Sequence, residues 1–245
     1  INRYCTDTTI YQSKWSRDKN YSFGAFQRSN DEVIHNSADA NLFFEILNKK
    51  RTNQKIRLVS TSWSSNIKKG FDIYKFLDEN LDFTKFEYIF IGNSPISFRN
   101  IELISPMESR MLAKELQNSD IFITASINDP CSNSLIEALS CGLPVVALNS
   151  GGHPELVKSG GVLFSNINDV IPSINKVANN IVFYKNNTIE FNLKDDKIYK
   201  GQILTHDCLM GRKFFESKTY IHDSYKLLHN EGFKTCRFSQ LERIA

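Results

Sequence analysis

The sequence predicts an α/β fold in which helices cover both faces of a parallel β-sheet. Three short segments are almost wholly apolar: Tyr88–Ile91, Ile121–Ile123 and Val145–Leu148. Between them, apolar residues recur at helical spacing. Strands that are apolar throughout and that alternate with amphipathic helices are typical of a parallel sheet buried on both faces. We therefore expect residues 56 to about 180 to form one doubly wound domain.

Strands and helices of this domain are expected to alternate along the chain. The predicted strands are Ile56–Val59, Tyr88–Ile91, Ile121–Ile123 and Val145–Leu148. The predicted helices contain Phe71 to Leu81, Met111 to Leu116 and Leu135 to Leu139. Outside the domain, short strands are predicted at Ile10–Gln12 and Glu32–His35, a helix capped by Ser13 near Lys14, and a helix at Phe214–Leu228.

Composition narrows the class of protein. The 245 residues carry a formal charge of +3 without a long basic run, which argues against nucleic acid as the main partner. Neither a membrane-spanning apolar stretch nor a signal peptide is recognisable. The odd cysteine count and the lack of a Cys-x-x-Cys pair predict reduced thiols, without a disulfide framework or zinc site, at Cys5, Cys131, Cys141, Cys208 and Cys236.

The first candidate binding loop follows the strand at Ile56 and ends in Lys68-Lys69-Gly70, just before a helix. In open α/β sheets, ligands bind beyond the carboxyl ends of the strands. A lysine beside a helix N-terminus is a suitable partner for a phosphate group, because the helix dipole favours an anion there. The alternative interpretation is a solvated surface lysine.

The second candidate loop follows Ile121–Ile123 and carries Asp129, with Glu137 eight positions later in the first turn of the next helix. Two carboxylates at one crevice are suited to accept hydrogen bonds from sugar or ribose hydroxyls. The alternative is a capping box from Ser134 to Glu137, in which the glutamate only satisfies a backbone N–H group.

The third candidate loop follows Val145–Leu148 and contains Gly151-Gly152-His153 and Glu155. Paired glycines let backbone amides approach a ligand closely, although they also occur in ordinary turns. Glu155 is alternatively a charge in a first helical turn, and His153 an exposed loop residue.

These segments together resemble a family signature. Asp129–Val146 resembles that of the retaining GT-B glycosyltransferases of family four: an acidic residue, seven residues, a glutamate, then a small residue followed by Cys-Gly-x-Pro-Val-Val. Gly151–Glu155 matches the Gly-Gly-x-Pro-Glu block that follows, and Lys69-Gly70 matches a Lys-Gly pair after the first strand. Val33–Asp39 resembles the turn that leads out of the N-terminal domain.

The resemblance implies a C-terminal Rossmann-like domain that binds a nucleotide-diphosphate sugar. Glu137 would hold the ribose hydroxyls, Asp129 the transferred sugar and Lys69 the diphosphate, without a metal or other cofactor. The further residues expected at the donor are Ser132, Asn133, Gly151, Gly152 and His153. The acceptor would be a saccharide or lipid-linked molecule, and the location cytoplasmic, with peripheral membrane contact through an N-terminal domain.

The sequence also departs from the family pattern. Asp129 stands where a glutamate is usual, Cys131-Ser132 replaces Phe-Gly, and Ser60–Asn66 lacks the usual arginine. We expect residues 1–40 to be the remnant of an acceptor domain and 41–55 a linker. Residues 56–211 are the expected donor domain and 212–245 a C-terminal helix and tail. A fragment or degenerate copy is therefore expected, and a non-catalytic subunit or a sugar-nucleotide epimerase remain alternatives to the transferase.

Overall fold

The computed structural model describes residues 9–29, 31–46 and 55–188. They fall into two compact units, residues 9–37 and residues 38–188. The predicted helix at Phe214–Leu228 lies outside the described residues.

The first unit contains a parallel strand pair, β1 (Ile10–Tyr11) and β2 (Glu32–Val33), and helix α1 (Lys14–Ser22). The predicted cap of α1 is confirmed, because Ser13 Oγ accepts the Ser16 N–H at 3.0 Å. Both strands are shorter than predicted. Helix α1 begins soon after β1, so only two residues of β1 pair with two residues of β2.

The second unit is a six-stranded sheet in which neighbouring strands are all parallel. Its strands are β3 (Ile56–Ser62), β4 (Phe86–Gly92), β5 (Glu102–Ile104), β6 (Ile121–Thr124), β7 (Val145–Leu148) and β8 (Gly161–Phe164). Its α-helices are α2 (Phe71–Asn80), α3 (Ser109–Gln117), α4 (Asn133–Ser140), α5 (His153–Val157), α6 (Val170–Asn179) and α7 (Ile181–Thr188). The predicted doubly wound α/β fold is confirmed.

Both faces of the sheet are packed, as the apolar strands predict. Along β4, Tyr88 and Phe90 belong to one buried cluster, whereas Ile89 and Ile91 belong to the other. Helices α2 and α6 cover the first face, and α3, α4 and α5 cover the second. Because successive side chains of a strand point to opposite faces, every position of a central strand has to be apolar or hydrogen-bonded.

The strand order β5-β4-β3-β6-β7-β8 reverses direction between β3 and β6. From β3 the chain builds outward through β4 and β5, then crosses back to β6 and builds outward on the other side. The crevice outside the carboxyl ends of β3 and β6 is therefore the topological switch point of the sheet, where open α/β folds bind ligands. The candidate loops that follow β3 and β6 flank this crevice. The candidate loop that follows β7 lies next to the β6 loop, because β7 is the neighbour of β6 in the sheet.

Two strands of the sheet were not predicted. Both lie at its edges, β5 beside β4 and β8 beside β7. In β5, Leu103 is exposed, so the strand lacks the apolar continuity of its neighbours. Strand β8 begins at Gly161, where a Cβ atom would lie 2.1 Å from the Val145 carbonyl oxygen. The glycine therefore serves close backbone pairing, although Gly160-Gly161 resembles a loop in sequence.

None of the helices in the described ranges is long and apolar enough to cross a membrane.

Candidate functional site

The loop after β3 ends in a turn that presents Lys69. A short 3₁₀ helix spans Ile67–Lys69, and Asn66 caps it by accepting the Lys68 N–H at 2.9 Å. Gly70 then has a φ of 76°, and a Cβ atom there would lie 2.3 Å from the Ala125 carbonyl oxygen. Glycine is required at this position both by the left-handed backbone and by the close approach of the loop after β6.

Lys69 and Asp129 form an ion pair across the switch point. The Lys69 Nζ atom lies 3.3 Å from Asp129 Oδ2, and the two side chains are 32% and 15% exposed. The loops that carry them are also joined through the backbone, because Ile127 donates its N–H to the Lys68 carbonyl at 2.7 Å. The structure thus brings together two residues that lie 60 positions apart in sequence.

The loop after β7 holds the backbone of Asp129 in place. Gly152 donates its N–H to the Asp129 carbonyl oxygen at 2.8 Å, and Ser150 Oγ accepts the Asn128 N–H at 2.9 Å. A Cβ atom on Gly151, which has a φ of 60°, would lie 2.2 Å from the Asp129 carbonyl oxygen. The paired glycines therefore let two loops pack together. The Gly152 amide is therefore engaged by Asp129, and the place of Gly152 at the donor stays a prediction.

Helix α4 begins four residues after Asp129, and no side chain caps its N-terminus. Its N-cap residue is Ser132, whose hydroxyl lies 3.1 Å from that of Ser134 and accepts no backbone N–H group of the first turn. Asn133 is the first helical residue. Since the first N–H groups of a helix have no partner within the helix, the uncapped start of α4 is suited to an anion.

Glu137 is the fifth residue of α4 and lies in its second turn, so its predicted place in the first turn is wrong. The capping box from Ser134 is wrong as well, because the N-cap residue is Ser132, two residues before Ser134. Among the described residues, no hydrogen bond or ion pair involves the Glu137 carboxylate. Burial raises the pKa of Glu137 to about 7. A largely desolvated carboxylate without a partner is a strong indication of a ligand site.

Two of the five cysteines lie in this part of the chain, and both Cys131 and Cys141 are buried, reduced thiols. Cys141 follows the last residue of α4. Burial, assisted by the charge of Glu137, raises the pKa of the Cys141 thiol to about 12. The thiol therefore stays protonated and unreactive. The other three cysteines lie outside the described residues.

His153 is the first residue of α5 and is completely buried, so the alternative of an exposed loop residue is wrong. Its Nδ1 atom lies 2.8 Å from the Leu148 carbonyl oxygen, at the end of β7. Its Nε2 atom is buried without a hydrogen-bond partner. Burial lowers the pKa of His153 below its usual value. Glu155 lies in the first turn of the same helix, as its alternative interpretation expected.

Sequence reasoning missed the polar groups that support the site from behind. The Tyr74 hydroxyl of α2 accepts the Ala125 N–H at 3.1 Å, at the point where β6 leads into the Asp129 loop. Ser60 Oγ lies 2.7 Å from the Tyr88 hydroxyl and donates to the Ile123 carbonyl oxygen at 2.7 Å. The sequence pattern places Tyr74 in an amphipathic helix and Tyr88 in an apolar strand, and predicts no hydrogen bond for either hydroxyl. Ser60, a polar residue within an apolar strand, was the signal that could have revealed this network.

The opposite edge of the sheet carries a wide, open cleft of about 1340 Å³. It lies at the amino ends of β3 and β4, and its rim includes Lys55, Lys85 and Asn175. The cleft lacks the convergent loops of the switch point. No group of three or more His, Cys, Asp or Glu side chains in the described ranges is placed to hold a metal ion.

Sequence comparison relates the chain to glycosyltransferases. Residues 80–180 match the profile of a family described as glycosyl transferases group 1. The phosphatidylinositol N-acetylglucosaminyltransferase GPI3 subunit of Saccharomyces cerevisiae is 25% identical over 104 residues, which are 41% of this chain and 23% of the relative. This chain thus spans about a quarter of the length of the curated relatives it matches.

Solved structures share the fold at low sequence identity. HepE of Anabaena, solved with UDP-glucose, superposes with a TM-score of 0.66 at 18% identity, over 85% of this chain and 65% of HepE. Sucrose-phosphate synthase of Thermosynechococcus elongatus gives a TM-score of 0.64 at 16% identity, over 82% and 58% of the two chains. The pneumococcal O-GlcNAc transferase GtfA, solved with UDP and GlcNAc, gives 0.62 at 14% identity, over 82% and 45%. Residues 80–180 are therefore similar to the group 1 glycosyltransferases, and the α/β unit has the fold of GT-B glycosyltransferases.

Proposed function

We propose that the switch-point crevice binds a nucleotide-diphosphate sugar, as the donor site of an enzyme that transfers a hexose-type sugar with retention. The observation that carries this proposal is the Lys69–Asp129 ion pair at the crevice, at 3.3 Å, followed by the uncapped start of α4. A cation and a helix N-terminus suit the diphosphate of such a ligand, and a carboxylate beside them suits the hydroxyl groups of its sugar.

Lys69 and α4 would hold the diphosphate. The ammonium group neutralises one phosphate, and the N–H groups of the first turn, which point away from the helix, bind another. Negative charge grows on the diphosphate as the sugar–oxygen bond breaks, and fixed positive groups stabilise that charge. We infer that these groups supply the charge neutralisation for which other enzymes use a divalent metal.

The two carboxylates would bind hydroxyl groups. Glu137, desolvated and without a partner among the described residues, is proposed to accept hydrogen bonds from the two ribose hydroxyls. Asp129 is proposed to bind the transferred sugar once the diphosphate draws Lys69 away from it. Ser132 and Asn133, at the start of α4, and Gly151, beside Asp129, would line the same donor.

The nucleotide is proposed to be a uridine diphosphate. HepE and GtfA, which share this fold, were solved with UDP-glucose and with UDP and GlcNAc. The acceptor is proposed to be a saccharide or a lipid-linked molecule, handled at the cytoplasmic face of a membrane in the synthesis of a surface glycoconjugate. The yeast relative, a phosphatidylinositol N-acetylglucosaminyltransferase subunit, supports a lipid-linked acceptor.

A non-catalytic nucleotide-sugar-binding subunit is the second candidate. One observation favours it: the exposed stretch Trp63–Asn66 of the β3 loop offers serines where the family usually has an arginine. Only Lys68 and Lys69 supply positive charge to this loop. Such a protein would bind the donor at the same residues without turnover.

A thermal-shift panel of UDP, GDP, ADP, CMP and their common sugar conjugates tests the donor site. A ligand at about 100 times its dissociation constant stabilises the folded state by about 2.7 kcal/mol, which raises the melting temperature by several degrees. One nucleotide series, expected to be that of UDP, should stabilise the parent chain and not Glu137→Ala. If no nucleotide shifts the parent, or if both proteins respond equally, the donor-site assignment fails.

A further inference from the structure

The buried imidazole of His153 has one nitrogen atom bonded and one left over. Nδ1 lies 2.8 Å from the Leu148 carbonyl oxygen, which can only accept a hydrogen bond, so Nδ1 carries the proton. The lowered pKa of His153 keeps the ring neutral. Nε2 is then a lone-pair acceptor, and it is buried without a donor.

A buried acceptor that has no donor destabilises the folded state. An apolar residue of similar size would avoid this cost at a position that is 0% exposed. Buried polar atoms without partners commonly mark places where a ligand or water supplies the missing group.

The ring lies beside the proposed donor site. The charges of Asp129 and Lys69 both act on the His153 imidazole, Asp129 favouring its protonated form and Lys69 opposing it. Gly152, the residue before His153, donates its N–H to the Asp129 carbonyl oxygen at 2.8 Å. The ion pair itself is partly exposed, so a ligand can reach it and separate its two side chains.

We propose that Nε2 of His153 accepts a hydrogen bond from a hydroxyl group of the donor sugar, in the space that opens when the diphosphate draws Lys69 away from Asp129. This inference rests on the proposed function. It adds a second acceptor, a neutral one, beside the carboxylate of Asp129, and so makes His153 a residue that selects the sugar.

The chemistry of the acceptor explains why the sugar is its partner. A phosphate oxygen carries lone pairs and repels an unprotonated imidazole nitrogen, whereas a hydroxyl group donates to it. His153 should therefore affect the affinity for a nucleotide-sugar and leave the affinity for the nucleoside diphosphate unchanged. A deoxygenated sugar that lacks the bound hydroxyl should lose the same interaction.

Two substitutions separate this role from a structural one. His153→Asn places an amide N–H near the position of Nδ1, so it keeps the bond to Leu148 and removes the acceptor at Nε2. His153→Gln reaches the position of Nε2 and restores an acceptor there. Calorimetric titrations of the parent and both variants with UDP and with UDP-glucose give the two dissociation constants of each protein.

In His153→Asn, the dissociation constant of UDP-glucose should rise about fivefold while that of UDP changes less than twofold. His153→Gln should recover part of the loss, and one deoxy-glucose conjugate should bind the parent and His153→Asn equally. An equal loss for UDP and UDP-glucose, or no loss for either, overturns the role of His153 and leaves the proposed function standing. If the parent binds neither UDP nor UDP-glucose, both the role of His153 and the proposed function are overturned.

Discussion

Replacing Glu137 with glutamine is expected to stabilise the unliganded chain at pH 8 by about 2 kcal/mol while weakening UDP binding at least tenfold. Burial raises the pKa of Glu137 from 4.5 to about 7. At about 1.4 kcal/mol per pH unit this shift corresponds to about 3 kcal/mol, and residual solvent exposure of the side chain reduces the effect to about 2 kcal/mol. Glutamine removes the buried charge, but it also removes one acceptor for the ribose hydroxyls.

The sign of the pH dependence follows from proton uptake. Between pH 4.5 and 7 the folded state holds a proton on Glu137 that the unfolded state has released, so this residue makes the protein less stable as the pH rises through that range. The advantage of Glu137→Gln over the parent should therefore be largest above pH 7 and vanish below pH 4.5. Urea unfolding of both proteins at pH 4.5 and pH 8 measures this difference.

The exposed Glu79 at the end of α2 offers the matched control. Glu79→Gln should leave both the free energy of unfolding and the affinity for UDP unchanged at either pH. A Glu137→Gln variant that is less stable than the parent at pH 8 would mean that the carboxylate has a structural partner. The interpretation of Glu137 as a ligand group would then be wrong.

Replacing Lys69 with methionine is expected to weaken UDP binding by about 100-fold. Methionine keeps the length and apolar stem of the side chain and removes its charge. The variant loses a charge-assisted hydrogen bond to phosphate, worth about 1.5–3 kcal/mol. It also leaves Asp129 unpaired, 15% exposed and close to the diphosphate, so that two negative groups repel each other.

A second substitution separates these two effects. Lys69→Met combined with Asp129→Asn removes the repulsion and should recover about tenfold in UDP affinity over Lys69→Met alone. Lys75→Met, on the exposed face of α2, should bind UDP as the parent does. If Lys69→Met binds UDP within about threefold of the parent, Lys69 is a surface lysine paired with Asp129 and has no role at the phosphate.

The fold could be predicted largely because the central strands have to satisfy two buried faces at once. Val145–Leu148 was predicted with its bounds, since its first three residues are buried and Leu148 packs against the core. Edge strands do not have to be apolar at every position, because part of their surface faces solvent. Leu103 of β5 is exposed, and β8 begins at a glycine, so neither strand has the uniform apolar pattern that identified its neighbours.

At the candidate site, spacing predicted which loops converge but not how their groups are engaged. The proximity of Lys69 and Asp129 follows from parallel topology, because β3 and β6 are neighbours in the sheet. The burial of His153 depends on how the β7 loop folds back onto the end of its own strand, which local sequence does not determine. The hydrogen bond of the Gly152 amide could not be predicted either, because its partner is a carbonyl group on another loop.

A crystal structure of the chain with UDP would locate the ligand on the sheet and so test the donor site at the switch point. We expect the diphosphate within hydrogen-bond distance of Lys69 Nζ and the α4 N-terminus, with the ribose hydroxyls on the Glu137 carboxylate. UDP bound instead at the amino edge, in the cleft of about 1340 Å³ beside Lys55 and Lys85, would overturn the donor-site assignment.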